Sequence, residues 1–273
     1  MLRVAVLAPV VAARTSAHPS VATAEVTKAA VVLTSAGEPV QGSLYKLADG
    51  QGRRPALVLS PGFGARVAAL EWLAQPLVER GLIVLAQSYR AGDVRYQLRD
   101  VEDIRASITF LTGQADVDGD RIGVIGHSRG GRASLQAAAT DTRVRSTVAL
   151  SPLVDIARYV RTLREYAPSR YALMVKAFGG TPDDDPDYYR AIAPLAYADR
   201  LKTPVLLLHG DADVAAPPEH SRWMYEALVQ AGNSQARLEL LPRLGHFFEQ
   251  GHWGYRREQV IERVVGWFDD TLR

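Results

Sequence analysis

Short apolar runs that alternate with amphipathic helical stretches constrain this chain more than any other feature. "PALVLS" (residues 55–60), "LIVLAQSY" (82–89), "RIGVIG" (121–126), "STVALS" (146–151) and "TPVLLLHG" (203–210) have the length and β-branched content of strands covered on both faces. "AALEWLAQPLVERG" has helical spacing and a closing glycine, Gly81, and "YQLRDVEDIRASITFLTG" repeats that pattern up to Gly113. "VTKAAVVLT" and "PVQGSLYKL", around Gly37, read as a leading pair of strands, and "ARLELLP" with a helix from about Gly254 to Leu272 closes the chain. Such alternation predicts an α/β fold with a mostly parallel, doubly wound sheet. Residues 152–202 break the pattern: they are rich in Tyr, Arg, Asp and Pro and hold no obvious strand. A long insertion after a central strand is read as a helical cap over a site. With 273 residues and 47% hydrophobic content the chain can bury a full core, so residues 24–273 are taken as one domain carrying that cap.

Composition works by exclusion. The net charge is +2 and basic residues are interspersed with acids, so no nucleic-acid partner is expected. The chain has no cysteine, which rules out disulfides, thiolate nucleophiles and cysteine metal sites. Nothing in the sequence calls for a metal or an organic cofactor, and oligomeric state is not readable. The first residues, "MLRVAVLAPVVAARTSAHPSVATA", have a basic start, a short apolar run and an Ala-Thr-Ala site, the order of a secretory signal. Pro9, Arg14 and His18 equally suit a plain N-terminal extension over residues 1–23, so both a cytoplasmic and a secreted location stay open. That apolar run is too short to span a bilayer, which needs about 20 residues, and no other segment reads as transmembrane.

The stretch "RIGVIGHSRGGRASLQAAA" turns from a strand pattern into a helix pattern through Gly126-His127-Ser128-Arg129-Gly130. Gly-x-Ser-x-Gly between a strand and a helix is a nucleophile elbow. It holds the serine in a strained conformation, and Gly126, Gly130 and Gly131 leave room where the strand and helix approach. Ser128 is therefore the candidate nucleophile; a plain turn serine is the alternative. A serine hydroxyl needs a base, and in this architecture an acid and then a histidine follow it in the chain. "HGDADVAAPP" offers Asp211 and Asp213 at a strand end. Asp213, deeper in the loop and stiffened by two prolines, is preferred as the acid, with Asp211 as a turn residue. Of six histidines, His246 in "LPRLGHFFEQ" stands directly after the last strand and is preferred as the base, with His252 second. His127 is locked beside the nucleophile with its ring pointing elsewhere, and His209 and His220 read as packing or capping residues. The oxyanion donors are expected to be the backbone N–H of Arg129 and, from the open "PGFGAR" loop, that of Phe63. The alternative there is a simple Pro-Gly turn.

Across residues 24–273 the chain resembles the α/β-hydrolases. "DVDGDRIGVIGHSRGG", "SPLVDI", "YRAIAPLAYADRLKTPVLLLHGDADVAAPPEHS" and "LPRLGHFFE" are similar to the catalytic domain of the prolyl oligopeptidase family and to dienelactone-hydrolase-like esterases. The resemblance implies a triad at Ser128, Asp213 and His246. "SPGFGA" instead resembles the oxyanion loop of cutinase-like polyester hydrolases and lipases. Peptidases of the prolyl oligopeptidase family carry a β-propeller ahead of the catalytic domain; only a few dozen residues precede it here, so none is expected. Dienelactone hydrolases proper use a cysteine, which is absent. Cutinase-like enzymes have a clamping aromatic where "LSPLVDI" offers Leu153, and a long cap does not belong in their open clefts.

The expected reaction is acyl transfer: His246 deprotonates Ser128, which attacks an acyl carbonyl, while the Phe63 and Arg129 amides hold the oxyanion and Asp213 orients the imidazole. Three readings follow. A carboxylester hydrolase for a small or medium ester is preferred, because the catalytic domain stands alone with a modest cap. A peptidase or amidase of the prolyl oligopeptidase type is second; an aminopeptidase would need carboxylates to hold the free amine, and the cap offers Asp183, Asp184, Asp185 and Asp187. Third is a non-catalytic binding protein, whose kind commonly loses a triad member. Of the cap tyrosines Tyr159, Tyr166, Tyr171, Tyr188 and Tyr189, none is assigned to binding.

Overall fold

The computed structural model describes residues 25–90, 92 and 95–272. The N-terminal extension or signal expected over residues 1–23 lies outside the described residues. Eight strands form one sheet: β1 (Val26–Ser35), β2 (Glu38–Leu47), β3 (Arg54–Ser60), β4 (Ile83–Gln87), β5 (Val117–His127), β6 (Val144–Leu150), β7 (Val205–Gly210) and β8 (Ala236–Leu241). Their order is β1-β2-β4-β3-β5-β6-β7-β8. β2 runs antiparallel to both β1 and β4, and every later pairing is parallel. The apolar runs become strands because they are buried on both faces: Leu57, Val84, Val124, Val148 and Leu207 are fully enclosed.

One face is covered by α1 (Glu71–Glu79) and α8 (Arg257–Thr271), whose Leu73, Leu77, Val264 and Phe268 pack in one cluster. The other is covered by α2 (Gln97–Thr112), α3 (Arg129–Ala138) and α7 (Glu219–Gln230) through residues such as Ile104, Ile108, Ala133 and Met224. The last helix starts at Arg257 rather than near Gly254. Gly251–Trp253 form a 3-10 turn, Gly254 has φ 81°, and Tyr255 bridges back to Glu249, so the chain is not helical before that point.

Residues 152–202 are helical: α4 (Ile156–Tyr166), α5 (Pro168–Phe178), α6 (Pro186–Ala191) and a 3-10 stretch, Pro194–Arg200. Local chemistry sets their ends. Asp155 accepts from the Arg158 N–H and Asp185 from the Tyr188 N–H, while Pro168 and Pro186 occupy first-turn positions where no donor is needed. Gly179, at φ 75°, stops α5. These helices share a small core of Tyr159, Val160, Leu163, Phe178, Tyr189 and Ile192.

The chain runs from β3 outward to β4 and then returns to place β5 on β3's other side. The carboxyl ends of β3 and β5 therefore flank a crevice where strand order reverses, the place where open α/β sheets put their sites. The loop holding Phe63 follows β3, and Ser128 follows β5.

Candidate active site

Ser128 stands between β5 and α3 with φ 54° and ψ −111°, a region costly for a non-glycine residue. Its backbone N–H donates to the Leu150 carbonyl at 2.7 Å and its carbonyl accepts from the Arg132 N–H at 3.0 Å, so neighbouring strand and helix both hold the turn. The two glycines are sterically required. A Cβ on Gly126 would stand 2.3 Å from the Gly130 carbonyl carbon, and one on Gly130 would stand 2.1 Å from the Ser60 oxygen. Strand and helix can meet this closely only where neither carries a side chain.

The candidate oxyanion donors lie on both sides of this turn. Arg129 is the first residue of α3, so its amide belongs to the first turn, which has no intrahelical acceptor. The loop after β3 passes directly over the elbow: a Cβ on Gly62 would meet Ser128 Cβ at 3.5 Å and His127 Nδ1 at 3.1 Å. Phe63 is the next residue of this loop, and it lines the same cavity as Ser128. The Arg129 side chain turns away, bonding both oxygens of buried Asp100 and stacking on the rings of Tyr96 and Tyr89 at 3.9 and 4.1 Å. Arg132 binds the same carboxylate, which anchors α3 to α2.

Asp213 and His246 come together. The His246 Nδ1–H donates to Asp213 Oδ2 at 2.7 Å, which leaves Nε2 as the ring's free nitrogen. Asp213 Oδ1 accepts the N–H groups of Ala215 and Ala216, both at 2.8 Å. Burial works to raise this carboxyl, but hydrogen bonds from His209 and His246 outweigh it and hold Asp213 well below the usual carboxylate range. It is thus a fixed negative charge beside an imidazole. No hydrogen bond joins Ser128 Oγ to His246 in this conformation; such contacts commonly tighten when substrate binds. Asp211 bonds the Arg243 N–H as a turn residue, and His252 lies in the exposed 3-10 turn.

Two histidines have closer ties to this constellation than the sequence indicates. His209, fully buried, points Nε2 at two acceptors, Asp213 Oδ2 at 3.1 Å and the Ala216 carbonyl at 2.8 Å. Nε2 must therefore carry the hydrogen, and Nδ1 faces the Ser221 hydroxyl at 2.7 Å. His127 reaches across to the His246 backbone carbonyl at 2.7 Å, with its ring 4.7 Å from the His246 ring. Burial, reinforced by His246, pushes the His127 imidazole down to about 3, so it is a neutral donor. A signal existed for both: a buried imidazole must find partners, and strand alternation turns His127 away from Ser128 toward the loop after β8. His220 is also buried, its value lowered to about 3; its Nδ1 accepts from the Val154 and Asp155 amides at the entry to α4.

Ser128 opens into a cavity of about 80 Å³ whose far wall comes from the inserted helices, through Ile156, Tyr159, Met174 and Phe178. Phe63 and Leu153 line it too, and Arg170 stands at its edge. No carboxylate lines it among the described residues. The four clustered acids of the insertion are engaged elsewhere: Asp183 with Arg161, Asp184 with Thr181, Asp185 with Arg95, and Asp187 with Arg190. No helix among the described residues is long and apolar enough to cross a membrane.

Over residues 69–273 the sequence matches the prolyl oligopeptidase family. The uncharacterized peptidase YtmA of Bacillus subtilis (strain 168) is 30% identical over 157 residues, 55% of this chain and 60% of that protein. A bis(hydroxyethyl) terephthalate hydrolase of Streptomyces coelicolor is 30% identical over 112 residues, 40% of this chain and 36% of its own. Among solved structures, puromycin hydrolase superposes with a TM-score of 0.77 at 24% identity, covering 93% of this chain and 40% of that one. Each of these three matches spans less than two thirds of the relative's length. Sheet order, strained elbow and the family match over most of the sequence agree, and the chain belongs to the prolyl oligopeptidase family, on the α/β-hydrolase fold.

Proposed function

We propose that this protein is a serine hydrolase that cleaves carboxylic esters with small acyl groups through an acyl-enzyme on Ser128. The observation that carries the reading is the Asp213–His246 hydrogen bond at 2.7 Å beside the strained turn at Ser128. In this mechanism His246 Nε2 takes the Ser128 proton as Oγ bonds to the acyl carbon. The Phe63 and Arg129 amides bind the oxyanion, and Asp213 stabilises the imidazolium. His246 then returns the proton to the leaving oxygen as its bond to carbon breaks. Water repeats the cycle and releases the acid. No step requires a metal or an organic cofactor.

Support for an ester over a free-amine peptide comes from the cavity. An aminopeptidase must neutralise an ammonium group, and no carboxylate lines the space beside Ser128 among the described residues. Its size favours short acyl chains: an apolar cavity of about 150 Å³ takes a benzene ring, and this one has about half that volume. A relative named as a terephthalate-ester hydrolase supports an ester substrate and carries no information on acyl size. Family membership itself supports the second reading, a peptidase or amidase acting on substrates that need no amine anchor.

The deciding experiment compares short-chain nitrophenyl esters with aminoacyl nitroanilides, using wild type and Ser128→Ala. Losing the nucleophile of a working triad costs about a millionfold in turnover. Ester cleavage that vanishes in the variant, with negligible anilide cleavage, is the expected result. Comparable anilide cleavage would move the protein to the peptidases. Activity retained in Ser128→Ala would refute the triad assignment, and activity absent from wild type on both series would support the binding-protein reading.

A further inference from the structure

A second cavity, of about 200 Å³, lies on the other side of the elbow. It is bounded by the loop after β3 and α1 on one hand and by the loop after β8 and the start of α8 on the other. Its walls are Trp72, Phe247, Tyr255, Gly62 and His127, with Arg257 among them. The two cavities divide the oxyanion loop: Gly62 lines this one and Phe63 the one beside Ser128.

Resting on the serine-hydrolase reading above, we propose that this second cavity binds the leaving group, and that it selects an aromatic alcohol carrying an anionic substituent. Position makes the first half of the case. The acyl carbon bonds to Ser128 Oγ, the bond to the leaving oxygen breaks, and the proton passes to that oxygen from His246. The leaving group therefore departs on the histidine's side. Phe247, the residue after His246, lines the second cavity, whereas no residue of the histidine loop lines the first. Acyl and leaving groups thus have separate chambers on the two sides of the loop after β3.

Chemistry makes the second half. A cavity of about 150 Å³ accommodates a benzene ring, so the volume of about 200 Å³ leaves space for a substituent. Trp72, Phe247 and Tyr255 offer ring faces, and Phe247 and Tyr255 are both more than half exposed, which is a cost that a bound aromatic group would relieve. The Arg257 guanidinium lies 5.2 Å from the Trp72 ring and 4.7 Å from the Tyr255 ring, and among the described residues it makes no ion pair or side-chain hydrogen bond. An oriented guanidinium with unused donors matches a carboxylate.

Two esters that share an acetyl group test this: phenyl acetate and 4-acetoxybenzoate. The quantity read is the ratio of their kcat/KM values, which reports the step that expels the leaving group, because both pass through the same acetyl-enzyme. In Arg257→Gln the ratio of 4-acetoxybenzoate to phenyl acetate should fall about tenfold. Met174→Ala, which enlarges the other cavity, should move both esters together. An unchanged ratio in Arg257→Gln would overturn the assignment. Titration of 4-hydroxybenzoate into Ser128→Ala separates the two readings, since it needs no turnover. Binding that weakens about tenfold on adding Arg257→Gln, together with no ester cleavage by wild type, would retain the site and refute the ester reading. No binding would refute the site even if esters are cleaved.

Discussion

Asp213 gathers four donors, two backbone amides on one oxygen and two imidazoles on the other. That arrangement fixes both its charge and its direction, and in the proposed mechanism the carboxylate acts through the His246 Nδ1–H bond. In Asp213→Asn the amide presents a donor or a weaker acceptor to His246 and stabilises the wrong tautomer. Turnover on the preferred ester should drop about ten-thousandfold, with the product's affinity nearly unchanged; equal turnover would remove Asp213 from the mechanism. His127 acts one step further out, by holding the carbonyl of His246. Replacing it with leucine keeps every side chain of the proposed triad but releases the loop that positions His246. A misplacement of about 1 Å can cost a hundredfold, so His127→Leu should lose up to about that much in kcat, with the melting temperature recorded alongside to separate loss of placement from loss of fold.

Among elements, the strand-to-helix turn at β5 and α3 has the least tolerance. Gly130→Ala forces a methyl group to 2.1 Å from the Ser60 oxygen, which is rigid backbone of the neighbouring strand. Destabilisation of at least about 3 kcal/mol is expected, read as a shift in the urea midpoint; a variant as stable as wild type would show that β3 and α3 can separate without cost. This turn was also the most legible part of the chain, because its chemistry is local: glycines two residues either side of a serine, a β-branched run before and an alanine-rich run after. The inserted helices were legible only as a departure from alternation. Their boundaries follow from Asp155, Asp185, Pro168 and Gly179, but which residues face Ser128 depends on packing among α4, α5 and α6 that no periodicity specifies. His209 and His127 escaped a functional reading for the same reason, since their partners are set by how strands and loops stack and not by sequence spacing.

For the whole molecule, buried neutral histidines set a pH dependence of stability. His127 and His220 each fall from an ordinary value of 6.5 to about 3 in the folded chain. Their folded values lie below the unfolded ones, so the unfolded state binds the extra protons. Stability is full above about 6.5 and is lost as pH falls from there toward 3, at up to about 1.4 kcal/mol per pH unit for each group. Asp213, also lowered, adds a loss of the same sign beginning only below its unfolded value of 3.8. The urea midpoint should therefore start to fall near pH 6.5, well before carboxylates titrate. His220→Gln should flatten that slope between pH 6.5 and 5; a midpoint independent of pH across this interval would contradict the buried, neutral assignment.

The bond from His127 to the His246 carbonyl joins positions 119 residues apart. Proteins are made from the amino end, so Ser128 is synthesised well before its proposed base, His246. Until β8 docks at the sheet edge and delivers the loop behind it, Ser128 lacks its proposed proton acceptor and the proposed leaving-group chamber lacks its second wall. On the proposed mechanism, a chain clipped before His246 cannot cleave an ester, however well the elbow at Ser128 is preserved.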